Sequence, residues 1–398
     1  MLRDSTFLEL WKSDGSGAGT FLVKDIRSGS SSSTPANLTN INNIIYFQAN
    51  NGANGIELWK SNGTAAGTVL VKDIYGGSNS STPANLTNTN NIVYFKANNG
   101  ANGIELWKSD GTAAGTVLVK DIYGGSNSST PANLTNINNL IYFQANNGAN
   151  GIELWKSDGS EAGTVLVKDI RSGSSSSTPA NLTNINNILY FKANNGAKGI
   201  ELWKSDESEA ETVLVKDIRP GVNSSNPNNL IQLDNNLYFT AHDGINGVEL
   251  WKSDGSEEGT VLVKDILLNG GSSNPTNLTD VNGTLYFTAN DGINGVELWK
   301  SDGTEEGTVL VKDILLNGGS SNPTNLTNVN GTLYFTANNG INGIELWKSD
   351  GSEEGTVLVG DILAGSGSSN PANLTDVLGE LYFTANNGIN GIELWSLV

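Results

Sequence analysis

Carboxylates, amides and hydroxyls make up most of the chemistry this chain can offer. It has 41 acidic residues against 22 basic ones, one histidine, His242, and no cysteine. Without thiols there are no disulfides and no thiolate metal sites. One imidazole rules out a multi-histidine zinc site and leaves a Ser-His triad improbable. Three constellations remain. The first is a glutamate that recurs every 48 residues in the triplet Glu-Leu-Trp, at Glu9, Glu57, Glu105, Glu153, Glu201, Glu249, Glu297, Glu345 and Glu393. If buried, it must accept hydrogen bonds or pair with a cation, and Lys300 and Lys312 typify the nearby lysines. The second is Asp243, Asn246 and Glu249, repeated as Asp291, Asn294 and Glu297. Their spacing of three departs from the every-second-residue ligands of an EF-hand-type loop, so turn chemistry is expected and no metal. The third is a set of loop residues able to hydrogen-bond and to stack on a sugar: Arg27, Tyr75, Tyr123, Arg171 and Arg219, with Asn246, Asn294 and Asn342. Residues of this kind on loops held by a rigid scaffold are candidates for ligand binding.

The net charge of −19 repels phosphate backbones and anionic lipid. Nucleic acid is therefore not an expected partner. No apolar run approaches the roughly 20 residues of a membrane span, so no membrane insertion is expected. The opening MLRDSTFLELW has no hydrophobic signal-peptide core.

The elements that must position these side chains follow from the period. In the repeat beginning at Asn277, NLTDVN reads as a short polar strand and residues 283–290, GTLYFTAN, as an aromatic-rich one. Residues 291–295 form a turn, 296–301 a third strand, 302–307 a second turn, and 308–314 a fourth strand. No stretch has helical periodicity. Proline precedes the first strand of each unit, where a missing amide donor costs the ladder nothing. Four antiparallel strands in 48 residues match one blade of a β-propeller, with a β-solenoid as the main competitor.

The prediction is a single all-β domain over residues 1–398, an eight-bladed propeller. Complete blades occupy 37–74, 85–122, 133–170, 181–218, 229–266, 277–314 and 325–362. The eighth is expected from 373–397 together with 7–26, closing the ring by pairing N- and C-terminal strands. Nine Glu-Leu-Trp strands for eight places leave one spare, either 7–12 or 392–397. The seam between two repeat dialects lies near 198–236, where Glu207 and Glu211 replace turn glycines, and its hairpin is expected to be the least regular.

The Ser-Asp-Gly turns carry Asp110 and Asp302 among their repeated aspartates, with Asn62 as the exception. A short Asp or Asn side chain bonds backbone amides two residues on, which predicts a structural role. The turn resembles, in part, the Asp-box hairpin of sialidase-like propellers. All nine tryptophans stand in the triplet, as Trp11, Trp59, Trp107, Trp155, Trp203, Trp251, Trp299, Trp347 and Trp395, and are expected to be packing mass. His242 is expected to be a solvated loop residue. With Glu105 to Thr112 and Glu297 to Thr304 in view, the chain resembles the ELWxxDGT-repeat proteins of bacteria. That resemblance covers essentially the whole chain. It implies a propeller-like repeat and an extracellular or cell-surface setting, but no particular activity.

The repeats differ mostly by Ala/Ile, Ser/Thr and Asn/Asp exchanges, so no few blades carry distinctive residues. An enzyme is not expected, and neither is a cofactor. The expected function is a scaffold or interaction module that binds protein or glycan through loops on one rim. The alternative is a multivalent lectin with equivalent sugar sites on several blades. A monomer is expected, with a strand-exchanged oligomer as the other arrangement.

Overall fold

The computed structural model describes residues 8–13 and 19–397. Every regular element among them is a strand. The first two, β1 (Leu10–Lys12) and β2 (Phe21–Lys24), pair antiparallel. The first complete repeat is β3 (Ala36–Ile41), β4 (Ile44–Asn50), β5 (Ile56–Ser61) and β6 (Val69–Lys72), hydrogen-bonded in sequence order. Six more four-stranded sheets repeat that order. A three-stranded sheet follows, Ala372–Val377, Glu380–Asn386 and Ile392–Leu397. The architecture is thus an all-β repeat of small antiparallel sheets. Two compact units are distinguished, Met1–Gly196 with Ser205–Thr212, and Ala197–Lys204 with Val213–Val398.

Within each sheet the pairing follows from the residues. β4 and β5 are in continuous register, with Phe47 opposite Trp59 and Ala49 opposite Glu57. The β5–β6 register slips between Leu58 and Trp59, a bulge that recurs in the later sheets. Glu57, Leu58 and Trp59 are all buried although they point alternately to the two faces. Both faces must therefore be covered, and the neighbouring sheets cover them. In the first unit Tyr46, Leu58, Val71 and Ile74 of one sheet pack against Val93, Phe95 and Trp107 of the next. In the second unit Tyr238, Leu250, Val263 and Ile266 meet Leu285, Phe287 and Trp299 in the same way.

Polar side chains tie successive sheets together. The Asn that opens each first strand sits at positive φ, 57° at Asn37 and 57° at Asn277. It aims its amide at the next repeat, donating to the carbonyls of Pro83 and Pro323 at 3.3 Å. The Val-Lys-Asp lysine does the same, Lys72 Nζ reaching Thr116 O at 2.7 Å and Lys312 Nζ reaching Thr356 O at 2.9 Å. Lys300 Nζ donates to Gly351 O at 2.9 Å. The lysines therefore bridge sheets through backbone carbonyls and are not the partners of the triplet glutamates.

One expectation is corrected and another is met only at its turn. β2 takes β1 as its partner, while Ile392–Leu397 is the outer strand of its own sheet. Both terminal Glu-Leu-Trp strands are thus paired and neither is spare, and residues 373–397 and 7–26 do not form one sheet. Phe7 lies outside the described residues. A hairpin between β1 and β2 closes only a short loop, whose entropic cost is small. The seam hairpin, second, has the register of its neighbours, with Leu202 opposite Lys216 and Trp203 opposite Leu214. Its turn does depart from the others, as expected: Glu207 takes φ 88° where the other described turns have glycine, and Glu211 stands in place of the second turn glycine.

Candidate functional site

Two loop types lie against each other along each unit. One joins the second and third strands of a sheet, as in 243–247. The other leads from the fourth strand to the next sheet, as in 267–275. Val248 N donates to Ser272 Oγ at 2.9 Å, and Asn274 N donates to Val248 O at 3.1 Å, which fixes one against the other. The approach is close: a Cβ added at Gly103, φ 67°, would stand 2.0 Å from the carbonyl oxygen of Asn127. Only glycine fits there.

The hairpin loop is braced by its own side chains. Asp243 Oδ1 accepts from Ile245 N at 2.8 Å and Asn246 N at 2.7 Å, and Asp243 Oδ2 accepts from Asn246 Nδ2 at 2.7 Å. Asp291 and Asn294 repeat this set. In the Asn-bearing copies the amide turns outward to the fourth strand, Asn342 Nδ2 reaching Asp361 Oδ2 at 2.8 Å. His242 Nδ1 accepts from Gly244 N at 2.7 Å, the bond that Asn50 Oδ1 makes with Gly52 N. The lone histidine therefore substitutes for a structural asparagine.

The proposed ligand residues are drawn into the same bracing. Asn246, Asn294 and Asn342 each donate one Nδ2 hydrogen bond to a neighbouring aspartate, as just described. The rings of Tyr75 and Tyr123 lie under Gly100 and Gly148 of the next hairpin loop, where an added Cβ would be 2.2 and 2.4 Å away. Arg27, Arg171 and Arg219 lie beside Gly52, Gly196 and Gly244 with somewhat more room. In the later repeats Leu267 and Leu315 take this position against Gly292 and Gly340. The variable residue is thus the foot on which the neighbouring loop stands.

The triplet glutamate fills a pocket of donors. Glu201 Oε2 accepts from Ile218 N at 3.0 Å and Ser225 Oγ at 2.6 Å, and Oε1 accepts from Ser225 N at 2.8 Å. Burial pushes the carboxyls of Glu153, Glu201 and Glu249 up to about 7, opposed by the serine hydroxyl and the backbone amides. Glu249 faces Ile266 and Ser273, so it does not join Asp243 and Asn246 in a ligand set. The Ser-Asp-Gly turn is equally self-contained. Asp110 Oδ1 accepts from Thr112 N and Thr112 Oγ1 at 2.8 and 2.7 Å, and Asp302 does the same with Thr304. A Cβ on Gly115 would stand 2.1 Å from that carboxylate, which explains the second turn glycine. Trp59, Trp107, Trp155, Trp203, Trp251, Trp299 and Trp347 are buried, whereas Trp11 is half-exposed.

One feature of the loops has no internal use. Ile245, Ile293, Ile341 and Ile389 stand at the tips of four successive hairpin loops, 73–86% exposed. Leu268 and Leu316, on the adjoining connections, are about two-thirds exposed. The first unit has Ala53, Ala101 and Ala149 at the corresponding tips. The Ala/Ile exchange between dialects was the sequence signal for this row.

No family model matches the chain, and no curated sequence does. Among solved structures, the computationally designed Ika8 protein aligns at 17% identity and TM-score 0.47, covering 90% of this chain and 95% of that one. BamB from Moraxella catarrhalis aligns at 11% identity and TM-score 0.40, covering 91% and 93%. A puromycin hydrolase S511A mutant aligns at 12% identity and TM-score 0.42, covering 96% of this chain and 61% of that one.

Proposed function

We propose that this chain is a non-enzymatic interaction module that meets a protein partner through the apolar loop tips of its second half. The observation that carries the reading is the row Ile245, Ile293, Ile341 and Ile389, exposed yet mounted on turns braced by their own hydrogen bonds. Exposed apolar side chains repeated on one set of rigid loops are the composition of a protein contact surface. Little ordering entropy is lost when such loops bind. A sugar site would need free amides and open aromatic faces. The asparagines here each hold an aspartate through one amide hydrogen and the tyrosine rings lie under glycines, which supports protein over glycan.

For the architecture we propose an eight-bladed β-propeller whose eighth blade is divided between the first and last sheets. The 48-residue period and the strand inventory support this reading. The eight-residue motif is the ground for placing the chain among the ELWxxDGT-repeat proteins.

The test is a phage-displayed peptide library panned on the whole chain and on a variant with all four tip isoleucines changed to Ser. Apolar peptides retained by the parent and lost by the variant are expected. Saturable binding on a glycan array that the variant keeps, with no peptide lost, would overturn the reading in favour of a lectin.

A further inference from the structure

The last sheet has the form of the seven four-stranded sheets minus their fourth strand, and its surroundings show what fits there. In complete sheets the triplet glutamate and leucine are fully buried; here Glu393 is exposed and Leu394 is 58% exposed. The glutamate's usual donors are an Ile amide 17 residues on and a Ser amide and hydroxyl 24 residues on, as Ile74 and Ser81 serve Glu57. Glu393 receives none of these among the described residues. Between the last sheet and the one before it is a cavity of about 510 Å³, lined by Tyr334, Lys348, Leu358, Leu381 and Leu397 among others. In the preceding pairs of sheets that space holds the fourth-strand leucine and the Ser-Asp-Gly turn. Leu118 packs against the sheet before its own, as do Leu310 and Leu358. Gly351 of the turn lies at the hydroxyl of Tyr286 and takes the Lys300 bond. Tyr334 and Lys348 are the counterparts of Tyr286 and Lys300 at the last sheet.

The element that fits this edge is a Ser-Asp-Gly turn followed by a Val-Lys-Asp-Ile strand and a serine loop. Residues 13–33, SDGSGAGTFLVKDIRSGSSSS, have that sequence. In this structure Ile26 and Ser33 serve the first Glu-Leu-Trp triplet: Glu9 accepts from Ile26 N at 3.0 Å and from Ser33 N at 2.8 Å. The service is incomplete, for Trp11 and Leu22 remain 47% and 39% exposed. β1 and Ile392–Leu397 carry the same Glu-Leu-Trp triplet, so β2 can serve only one of them. Each folded chain holds both an open edge and a poorly covered donor, which makes another copy of the chain the matching occupant.

We propose that residues 19–33 of a second copy complete the last sheet. Their β2 segment pairs with Ile392–Leu397 in place of β1, Leu22 enters the cavity, and Glu393 takes the Ile26 and Ser33 donors. Because each copy gives one segment and accepts one, two copies exchange reciprocally into a closed dimer. The proposal rests on the divided eighth blade put forward above and adds that its halves come from different molecules.

The test uses the register of the complete sheets, where Lys60 stands opposite Val69 and Lys300 opposite Val309. The same register puts Ser396 opposite Phe21. Two full-length chains, one Phe21→Cys and one Ser396→Cys, are refolded together and oxidised. A disulfide-linked dimer on a non-reducing gel is expected, and none from Phe21→Cys paired with Val222→Cys. A disulfide that forms only inside a single chain carrying both Phe21→Cys and Ser396→Cys would overturn the exchange while keeping the divided blade. No disulfide in either format would overturn both.

Discussion

The most informative residue is the buried glutamate, because its charge state links the core to pH. The carboxyls of Glu57, Glu105, Glu153, Glu201, Glu249 and Glu297 are raised, first by burial, against the opposing serine and backbone bonds. A carboxyl raised in the folded state holds a proton that the unfolded chain has released. Stability then falls as pH rises from the ordinary glutamate range to about 7, the value reached at three of these sites. The turn aspartates act in the opposite sense. Hydrogen bonds from the following Ser or Thr lower Asp110, Asp158, Asp254, Asp302 and Asp350, so their contribution is present above the ordinary aspartate range and is lost as pH falls. The urea midpoint is therefore expected to peak near pH 5 and to decline toward pH 7.5; a midpoint that climbs across that interval would refute the assignment. Ser225→Ala removes a donor to Glu201. It is expected to cost about 1–3 kcal/mol at pH 8 and less at pH 5, where Glu201 is protonated, as urea denaturation at the two pH values would show.

At the scale of the element, strands and turns were legible because their signals are local. Val-Leu-Val and Leu-Tyr-Phe announce strands covered on both faces, and Ser-Asp-Gly announces a turn that closes on its own aspartate. The partners of Glu57 and Lys72 were not legible. Ile74 and Ser81 lie 17 and 24 residues downstream of Glu57, and Thr116 belongs to the next repeat. Pairing of β5 with β6 brings Ile74 to Glu57, the returning connection brings Ser81, and the next sheet brings Thr116 to Lys72, whereas lysine is nearer to the glutamate in sequence. The seam hairpin shows how strongly the fold imposes itself. Glu207 is driven to φ 88° so that Ser205, Asp206 and Ser208 can keep the bonds of the other turns. Glu207→Gly is expected to stabilise the chain by about 1 kcal/mol through relief of that backbone. Loss of its part-buried pairing with Lys156, long at 3.8 Å, subtracts from that gain. A differential scanning measurement checks this, and an unchanged or lower melting temperature would contradict it.

At the scale of the whole molecule, near-identical repeats place small differences where they are most visible. The sequence directed attention to tyrosine and arginine on the loops, since those side chains bind ligands in general. The fold uses them as feet for neighbouring loops and leaves the isoleucines outside. An Ala-to-Ile exchange looks neutral in a sequence, because its meaning depends on whether the position faces a core or solvent. Because the chain's net charge is −19, the partner proposed for these loop tips is neutral or basic and carries apolar side chains. The most direct measurement is an isoleucine-methyl NMR titration of the whole chain with a peptide selected by panning. Shifts confined to Ile245, Ile293, Ile341 and Ile389 are predicted. Shifts at the buried isoleucines alone, or none at saturating peptide, would contradict the account.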